Sequence, residues 1–143
     1  MNKIKDVLKK KGNDVYVTYA HHTVYQALEE LIDKNVGALV VLSEDNDIVG
    51  MFSERDYTRK VALQGKSSKN TRVEEIMSSQ VITVNPDLTV NYCMGLMTDQ
   101  HIRHLPVIAG NDLIGLVSIG DLVKFVIQEQ EETIESLKGY ISN

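Results

Sequence analysis

The sequence has very little cysteine and no long hydrophobic run. Cys93 is the only cysteine among 143 residues, which excludes an internal disulfide and any metal site built from cysteines alone. A single cysteine is also typical of a reducing cytoplasm. The longest uncharged apolar run is Val36–Leu42, whereas a membrane helix needs about 20 such residues. No apolar stretch follows Met1–Asp6, so we expect a cytoplasmic protein with no signal peptide and no membrane partner.

Positive charge is also scarce. The net charge is −5 and the isoelectric point is near 5.3, which argues against nucleic acid as a partner. The charges are unevenly spread, because six basic residues and one acid lie between Arg55 and Arg72, whereas four acids and no base lie between Glu129 and Glu135. Two solvated faces would explain this pattern. The alternative is a local anion site inside an acidic protein.

Motifs of catalysis are absent. The chain contains no Gly-x-Ser-x-Gly, no phosphate-binding P-loop, no His-Glu-x-x-His and no Gly-x-Gly-x-x-Gly. Cys93 occupies an apolar helix position, which favours a buried thiol over a nucleophile. The adjacent His21 and His22 have no third metal ligand near them in the sequence. We therefore expect neither enzymatic activity nor a metal site.

The chain contains an internal repeat. Residues 16–43 align with residues 82–109 at an offset of 66, and the match continues once one residue is removed from the polar turn at 44–47. Identical residues at equivalent positions include Thr23 and Thr89, Asp33 and Asp99, Gly50 and Gly115, Ser53 and Ser118, and Asp56 and Asp121. Such self-similarity indicates two copies of one structural unit.

Each copy predicts the order strand, helix, strand, strand, helix. In the first copy, the capping box Thr23-x-x-Gln26 precedes apolar residues at helical spacing. A polar turn between two apolar, β-branched runs then predicts a hairpin. The predicted strands are Tyr16–Tyr19, Ala38–Leu42 and Ile48–Phe52 in the first copy, and Val81–Val84, Leu105–Ile108 and Leu113–Val117 in the second. The fold class is therefore α/β, of the α+β kind, with two β-α-β-β-α units.

Three segments lie outside the repeats. Ile4, Val7 and Leu8 share one face of a short N-terminal helix, and Thr71-x-x-Glu74 predicts a capped turn of helix in the linker. The predicted organisation is an N-terminal helix at 1–14, a first repeat at 15–63, a linker with a short helix at 64–80, a second repeat at 81–128 and a C-terminal helical extension at 129–143.

Two Ser-x-x-Asp elements follow glycine-containing strands, at Ser53–Asp56 and Ser118–Asp121. Serine at an N-cap with an acid three residues later is ordinary helix capping, and this interpretation is sufficient for each element alone. The same geometry also suits a ligand. A hydroxyl and a carboxylate at a helix N-terminus can hold the vicinal diol of a ribose, while the helix amides favour an anion. Arg59 and Lys60 lie one turn beyond the first element, where they could meet a phosphate.

With these elements in register, the sequence resembles a tandem cystathionine-β-synthase (CBS) domain pair, also called a Bateman module. The resemblance rests on the two strand–Ser-x-x-Asp elements and on the segment Ile102-Arg103-His104-Leu105-Pro106-Val107-Ile108. The stretches Phe52–Lys60, Gln64–Lys69 and Val117–Lys124 further resemble stand-alone CBS-pair proteins. The resemblance covers essentially the whole chain.

The resemblance implies two repeats packed with pseudo-twofold symmetry and a protein that commonly forms a homodimer. It also implies two clefts for an adenosyl ligand, with AMP as the first expectation and ADP, ATP, NAD(H) or S-adenosylmethionine as alternatives. No cofactor is expected to be obligatory. A regulated protein partner is implied but not identified. Ile134, Leu137 and Ile141 form an apolar set beyond the second repeat, which we expect to pack on a partner subunit or on the N-terminal helix. From the sequence itself we also predict a homodimer.

The resemblance further implies which residues line each cleft, with Asp56 and Asp121 holding the ribose. Expected in the main cleft are Ile82, Thr83, Ile102, Arg103, His104, Pro106, Ser118 and Asp121. Expected in the second cleft are Tyr16, Val36, Gly37, Ala38, Ser53 and Asp56. The phosphate candidates are Arg55, Arg59, Lys60 and Lys66.

The first copy departs from the family pattern, which is why the clefts are expected to be unequal. Ala38-Leu39-Val40 lacks the proline that the family often carries, and Gly37-Ala38 lacks the side chains that Arg103-His104 supply. His21-His22 also belongs to a segment that replaces the usual polar-Pro-Asp entry, which the second copy keeps as Asn85-Pro86-Asp87. The cleft at Asp121 is therefore the preferred nucleotide site.

Two functions remain open at this point. The first is a non-enzymatic sensor of adenine nucleotides that acts on an unknown partner. The second is a ligand-independent interaction and dimerisation module whose acidic C-terminal helix forms the docking surface.

Overall fold

The computed structural model describes residues 2–142, which form five β-strands and six α-helices. The strands are β1 (Val17–Tyr19), β2 (Ala38–Leu42), β3 (Ile48–Ser53), β4 (His104–Ala109) and β5 (Asp112–Ser118). The helices are α1 (Ile4–Lys11), α2 (Val24–Lys34), α3 (Glu54–Tyr57), α4 (Val73–Ile76), α5 (Val90–Gln100) and α6 (Ile119–Ser142), and α3 continues into a π-helical turn at Thr58–Ala62. This order confirms the α+β fold with two related repeats, a short N-terminal helix and a long C-terminal helix.

These elements divide into two compact units. The first unit comprises residues 15–82, and the second comprises the N-terminal residues up to Asp14 together with those from Thr83 onward. No helix within residues 2–142 combines the length and the apolar character needed to cross a membrane.

The first unit is built on a three-stranded sheet in the order β1-β2-β3. Strand β1 runs parallel to β2, and β2 runs antiparallel to β3, with Ala38 opposite Ser53. Burial of large apolar side chains contributes about 1.5–3 kcal/mol each, and the sheet contributes Phe52 to the core. The other core members are Val24, Ala27, Leu31, Leu39, Val41, Val61, Val73 and Ile76.

The second unit combines the β4–β5 hairpin with α5 and α6, and α1 packs here. The backbone N–H of Val90 donates to the carbonyl of Asn2 at 2.7 Å, and that of Ile4 donates to the carbonyl of Leu88 at 2.9 Å. The face of α1 predicted to be apolar is buried, as expected from its spacing. This docking brings the C-terminal end of α1 to the start of α6, where it bears on the candidate site.

The structure shows only one bridge, between Val84 and Val107, where the sequence predicts the strand Val81–Val84. In the first unit the N–H of Val40 donates to the carbonyl of Tyr16 at 3.2 Å, and this hydrogen bond lengthens the ladder between β1 and β2. Pro106 stands at the position equivalent to Val40 and has no N–H to donate. The prediction of a full strand there was therefore wrong.

The short linker helix α4 begins one residue later than its predicted capping box. The hydroxyl of Thr71 donates to the carbonyl of Ser67 at 2.8 Å, so it does not cap the helix. Instead, the N–H of Arg72 donates to the carboxylate of Glu75 at 2.6 Å. The helix therefore has Arg72 at its N-cap, with Glu75 accepting the Arg72 N–H, instead of a capping box formed by Thr71 and Glu74.

Candidate functional site

Both Ser-x-x-Asp elements form reciprocal capping boxes. The N–H of Asp56 donates to Ser53 Oγ at 3.3 Å, and the N–H of Ser53 donates to Asp56 Oδ2 at 3.0 Å. The corresponding distances for Ser118 and Asp121 are 3.0 and 2.8 Å. The helix-capping interpretation is therefore confirmed for both. Capping uses only part of a carboxylate, which has about four acceptor positions, so it leaves room for a ligand.

Strand pairing brings each capping box beside the start of the preceding strand. Ala38 lies opposite Ser53 in the β2–β3 pair, and the N–H of Glu54 donates to the carbonyl of Gly37 at 3.2 Å. His104 likewise lies opposite Ser118, and the N–H of Ile119 donates to the carbonyl of Arg103 at 2.9 Å. Each unit therefore brings its own serine, aspartate and pre-strand residues together.

The remaining first-unit candidates border the same strand. Tyr16 accepts the hydrogen bond from Val40 through its carbonyl, and its ring lies 5.5 Å from the ammonium of Lys34. The N–H of Val36 donates to the carbonyl of Leu31 at 3.1 Å, and its side chain is partly buried against the core. Ala38 is buried, so in this structure it is part of the sheet rather than an open contact surface.

The remaining second-unit candidates differ widely in exposure. Thr83 and Arg103 are exposed, and Ile102 is half-buried, with its N–H donating to the carbonyl of Met97 at 3.0 Å. Pro106 is buried within β4 and contributes its carbonyl to the bridge with Val84. Ile82 is half-buried and belongs to the first unit.

Of the predicted phosphate residues, Lys60 is already paired with a carboxylate. The ammonium of Lys60 lies 3.2 Å from Asp56 Oδ1 and donates to the carbonyl of Ile76 at 2.9 Å. Lys60 therefore already neutralises the carboxylate expected to hold a ribose. Arg55, Arg59 and Lys66 are exposed.

Lys11 is a site residue that the sequence did not reveal. Its ammonium lies 2.5 Å from Asp121 Oδ2 and also donates to the carbonyl of Leu116. Lys11 belongs to α1, outside both repeats, so no internal alignment could place it there. One signal was available, because the second copy has Phe125 where the first has Lys60. The second copy therefore lacks the lysine that pairs with the aspartate in the first, and a cation from another segment is required to pair with Asp121.

Asp121 is a partly buried carboxylate with acceptor capacity to spare. Burial would raise the pKa of Asp121, but hydrogen bonds from the Lys11 ammonium and the Ser118 backbone outweigh it, so the pKa is lowered. Among the described residues, only Oδ2 of Asp121 accepts hydrogen bonds. In Asp56 both oxygens are used, Oδ2 by Ser53 and Oδ1 by Lys60. The free acceptor distinguishes the Asp121 site from its counterpart.

A cavity of about 620 Å³ opens beside Asp121, between α1 and α6. Its walls include Lys10, Lys11, Phe125 and Gln128. Lys10 also pairs with Glu129 and Glu132 at 3.5 and 3.3 Å. The volume lies in the range of small-molecule pockets, and the wall combines an apolar ring with cations and acceptors. This arrangement can accept an uncharged ribose at the carboxylate. The ammoniums of Lys10 and Lys11 are already paired with carboxylates, and Glu131 and Glu132 also line the cavity.

Replacing Lys11 by methionine should raise the pKa of Asp121, because it removes the hydrogen bond and the charge that favour the ionised form. The carboxyl ¹³C titration of Asp121 measures the shift. Lys10→Met is the matched control, since its ammonium pairs with Glu129 and Glu132 instead. An unchanged titration of Asp121 in Lys11→Met would contradict the observed pair.

The same change has a consequence for acid stability. The pKa of Asp121 is lower in the folded protein than its ordinary value near 3.8. Its stabilising contribution is therefore present above about pH 4 and is lost as the pH falls through the lower folded value. In Lys11→Met, this part of the acid dependence should shrink.

Comparison with known proteins identifies the family to which this fold belongs. The family model for the CBS domain matches residues 4–63 and 73–128, so the chain belongs to the CBS-domain family. It is 44% identical to the Arabidopsis thaliana mitochondrial CBS domain-containing protein CBSX3, over 96% of this chain and 71% of that protein. It is 31% identical to Bacillus subtilis YhcV, over 100% of this chain and 97% of that protein.

Solved structures agree with these relatives. A CBS-domain protein from Burkholderia ambifaria is 47% identical and superimposes with a TM-score of 0.82, covering 90% of this chain and 96% of that one. A hexameric CBS-CP12 protein from bloom-forming cyanobacteria is 28% identical, with a TM-score of 0.78 and coverage of 100% of this chain and 90% of that one. CBS pairs are regulatory modules that commonly bind adenosine ligands and often dimerise.

Proposed function

We propose that this CBS pair is a non-catalytic sensor of adenine nucleotides, with its main ligand site at Asp121. The observation that carries the proposal is the Asp121 carboxylate, which is held at a helix start and has one oxygen free of donors from the described residues. A ribose diol offers two hydroxyl protons to such an acceptor. An attached phosphate would compete with Glu129, Glu132 and Asp121 for the ammoniums of Lys10 and Lys11.

The proposed mechanism is a shift of population. A ligand can change a conformational equilibrium only by the difference in its affinity for the two states. The nucleotide would favour the conformation in which the Ser118–Asp121 turn and its surroundings fit the ribose. A partner protein would then read the change. AMP is our first candidate, with ADP, ATP, NAD(H) and S-adenosylmethionine as the other adenosyl ligands to be tested.

A thermal-shift panel tests this function. At a concentration 100 times its Kd, a ligand stabilises the folded state by about 2.7 kcal/mol, which should raise the melting temperature by about 5 °C or more. We expect this with at least one of AMP, ADP, ATP, NADH and S-adenosylmethionine. Inorganic phosphate and GMP serve as controls. A flat response to every adenosyl ligand would contradict the proposal.

A ligand-independent interaction module is the second candidate, and the exposed C-terminal half of α6 favours it. It predicts no thermal shift with any nucleotide. We further propose that the protein is a homodimer under either function, which light scattering at micromolar concentration would check against the 16.0 kDa chain. A cytoplasmic location stays a prediction, since the name of the Arabidopsis relative places that protein in mitochondria.

A further inference from the structure

The carboxylate of Asp121 is partly occupied by a side chain from outside its own repeat. Its Oδ2 atom accepts the N–H of Ser118 at 2.8 Å and the ammonium of Lys11 at 2.5 Å. A carboxylate oxygen has about two acceptor positions, so Oδ2 is fully used. The two hydroxyls of a ribose suit a carboxylate when each donates to a different oxygen. Lys11 therefore holds one of the two oxygens that a ribose diol would use.

The first repeat neutralises its equivalent aspartate in a different way. Lys60 lies four residues after Asp56, and its ammonium is 3.2 Å from Asp56 Oδ1. Because both residues belong to one helical segment, Lys60 can change partner without moving another element. Lys11 is instead the last residue of α1. Departure of its ammonium from Asp121 would therefore detach one end of a separate helix.

The end of α1 is attached to β5 through side chains. The ammonium of Lys11 donates to the carbonyl of Leu116, and Nδ2 of Asn13 donates to the carbonyl of Ile114 at 3.2 Å. The ammonium of lysine is a point charge on a flexible four-carbon stem, so rotation of the side chain is sufficient to exchange its partner. The attachment can therefore be released without breaking a backbone ladder.

The equivalent position of the first repeat is closed by backbone hydrogen bonds. Met51 of β3 aligns with Leu116 of β5 in the internal repeat. Met51 exchanges two backbone hydrogen bonds with Ser78, each 2.9 Å long. No rotation of a side chain opens that contact. The two repeats thus differ at one position, and the releasable contact lies beside Asp121.

We propose that Lys11 is an internal competitor for the Asp121 carboxylate, so that a ribose engages both oxygens only when Lys11 leaves and the end of α1 is released. The inference rests on the adenosyl site proposed above. The apparent affinity of the ligand is then reduced by the fraction of molecules in which the carboxylate is open. A phosphate on the ligand can accept the displaced ammonium. Lys11 therefore also favours nucleotides over nucleosides.

Calorimetric titration with adenosine tests the competition, because adenosine has a ribose and no phosphate. Lys11→Met should lower the Kd for adenosine by about threefold to tenfold, since the carboxylate is then always open. AMP should gain less, because its phosphate loses the ammonium. The preference for AMP over adenosine should therefore fall by about threefold or more.

Two further variants control for charge and for the cation itself. Lys9→Met removes the same charge from α1 at an exposed position outside the cavity wall. It should leave the Kd for adenosine within about twofold of the wild type. Lys11→Arg keeps a cation beside Asp121, so it should bind adenosine more weakly than Lys11→Met does.

Amide hydrogen exchange measures the release of α1 directly. The N–H of Gly12 donates to the carbonyl of Leu8 at 2.7 Å, which closes the last turn of the helix. Saturating adenosine should raise the exchange rate of the Gly12 amide by about threefold or more. The amide of Leu8, whose side chain is buried, should not change. In Lys11→Met the Gly12 rate should already be raised without ligand.

The outcomes separate the competitor from the proposed function. If no adenosyl ligand binds the wild type or any variant, the proposed function is wrong and this inference is wrong with it. If the wild type binds AMP but Lys11→Met binds adenosine no more tightly than the wild type, only the competitor is overturned. Equal tightening in Lys9→Met would identify a general charge effect and would overturn it too. An unchanged Gly12 exchange rate at saturation contradicts the release of α1.

Discussion

Replacing Asp121 by asparagine should weaken adenine-nucleotide binding by between about tenfold and a hundredfold while the protein stays folded. A hydrogen bond to a charged acceptor contributes about 1.5–3 kcal/mol. An amide also has only one acceptor oxygen, so it cannot receive both hydroxyl protons of a ribose diol. The capping box survives, because the amide oxygen can still accept from Ser118 and the N–H of residue 121 still donates to Ser118 Oγ.

Asp56→Asn is the matched comparison for this variant, since Asp56 occupies the equivalent position in the first repeat. Both of its carboxylate oxygens already accept hydrogen bonds or an ion pair, from Ser53 and Lys60. The first repeat also has Gly37-Ala38 where the second has Arg103-His104. We therefore expect a smaller loss of affinity, about threefold or less.

Calorimetric titration of the best ligand from the thermal panel decides between the two interpretations of the Ser-x-x-Asp elements. Thermal unfolding of each variant without ligand controls for folding. Loss of the Lys11 ion pair should cost no more than about 1 kcal/mol, because the pair is partly exposed. If Asp121→Asn binds like the wild type, Ser118 and Asp121 are helix-capping residues only.

The repeat, the hairpins and both capping boxes could be predicted from the sequence because each depends on local pattern. The alternation between apolar runs and polar turns places β2 and β3 within one residue of their predicted ends. Ser53 and Ser118 cap helices because a short hydroxyl side chain can reach an N–H three residues on. Local hydrogen bonding of this kind needs no knowledge of the distant chain.

The features that the sequence did not reveal depend on contacts between distant segments. Lys11 reaches Asp121 only because α1 docks on the second repeat, and no periodicity within α1 specifies that destination. The strand predicted at Val81–Val84 has the right composition. Its partner strand carries Pro106, whose missing N–H shortens the ladder. Composition predicts that a segment can form a strand, whereas the hydrogen-bonding groups of the neighbouring strand determine how many of its residues pair.

Gly50 and Gly115, which are identical at equivalent positions of the two repeats, also differ in a way that the sequence does not reveal. The aligned glycines look equivalent in sequence, yet a side chain would meet different obstacles at each. A Cβ at Gly50 would lie 2.5 Å from Met77 Sδ and 2.9 Å from the backbone carbonyl oxygen of Ser78. A Cβ at Gly115 would lie 2.7 Å from Leu8 Cδ2, the far end of a flexible side chain.

Gly50→Ala should therefore lower the free energy of unfolding by about 2–3 kcal/mol, and Gly115→Ala by only about 1 kcal/mol. The backbone obstacle at Gly50 cannot rotate away, because Ser78 is held against β3 by two hydrogen bonds with Met51, each 2.9 Å long. Leu8 can change rotamer, at a small packing cost. Urea unfolding measures both variants, and the midpoint should fall while the slope with denaturant is unchanged. If the two variants lose the same free energy of unfolding, the Ser78 backbone moves as easily as a leucine side chain, which would contradict this prediction.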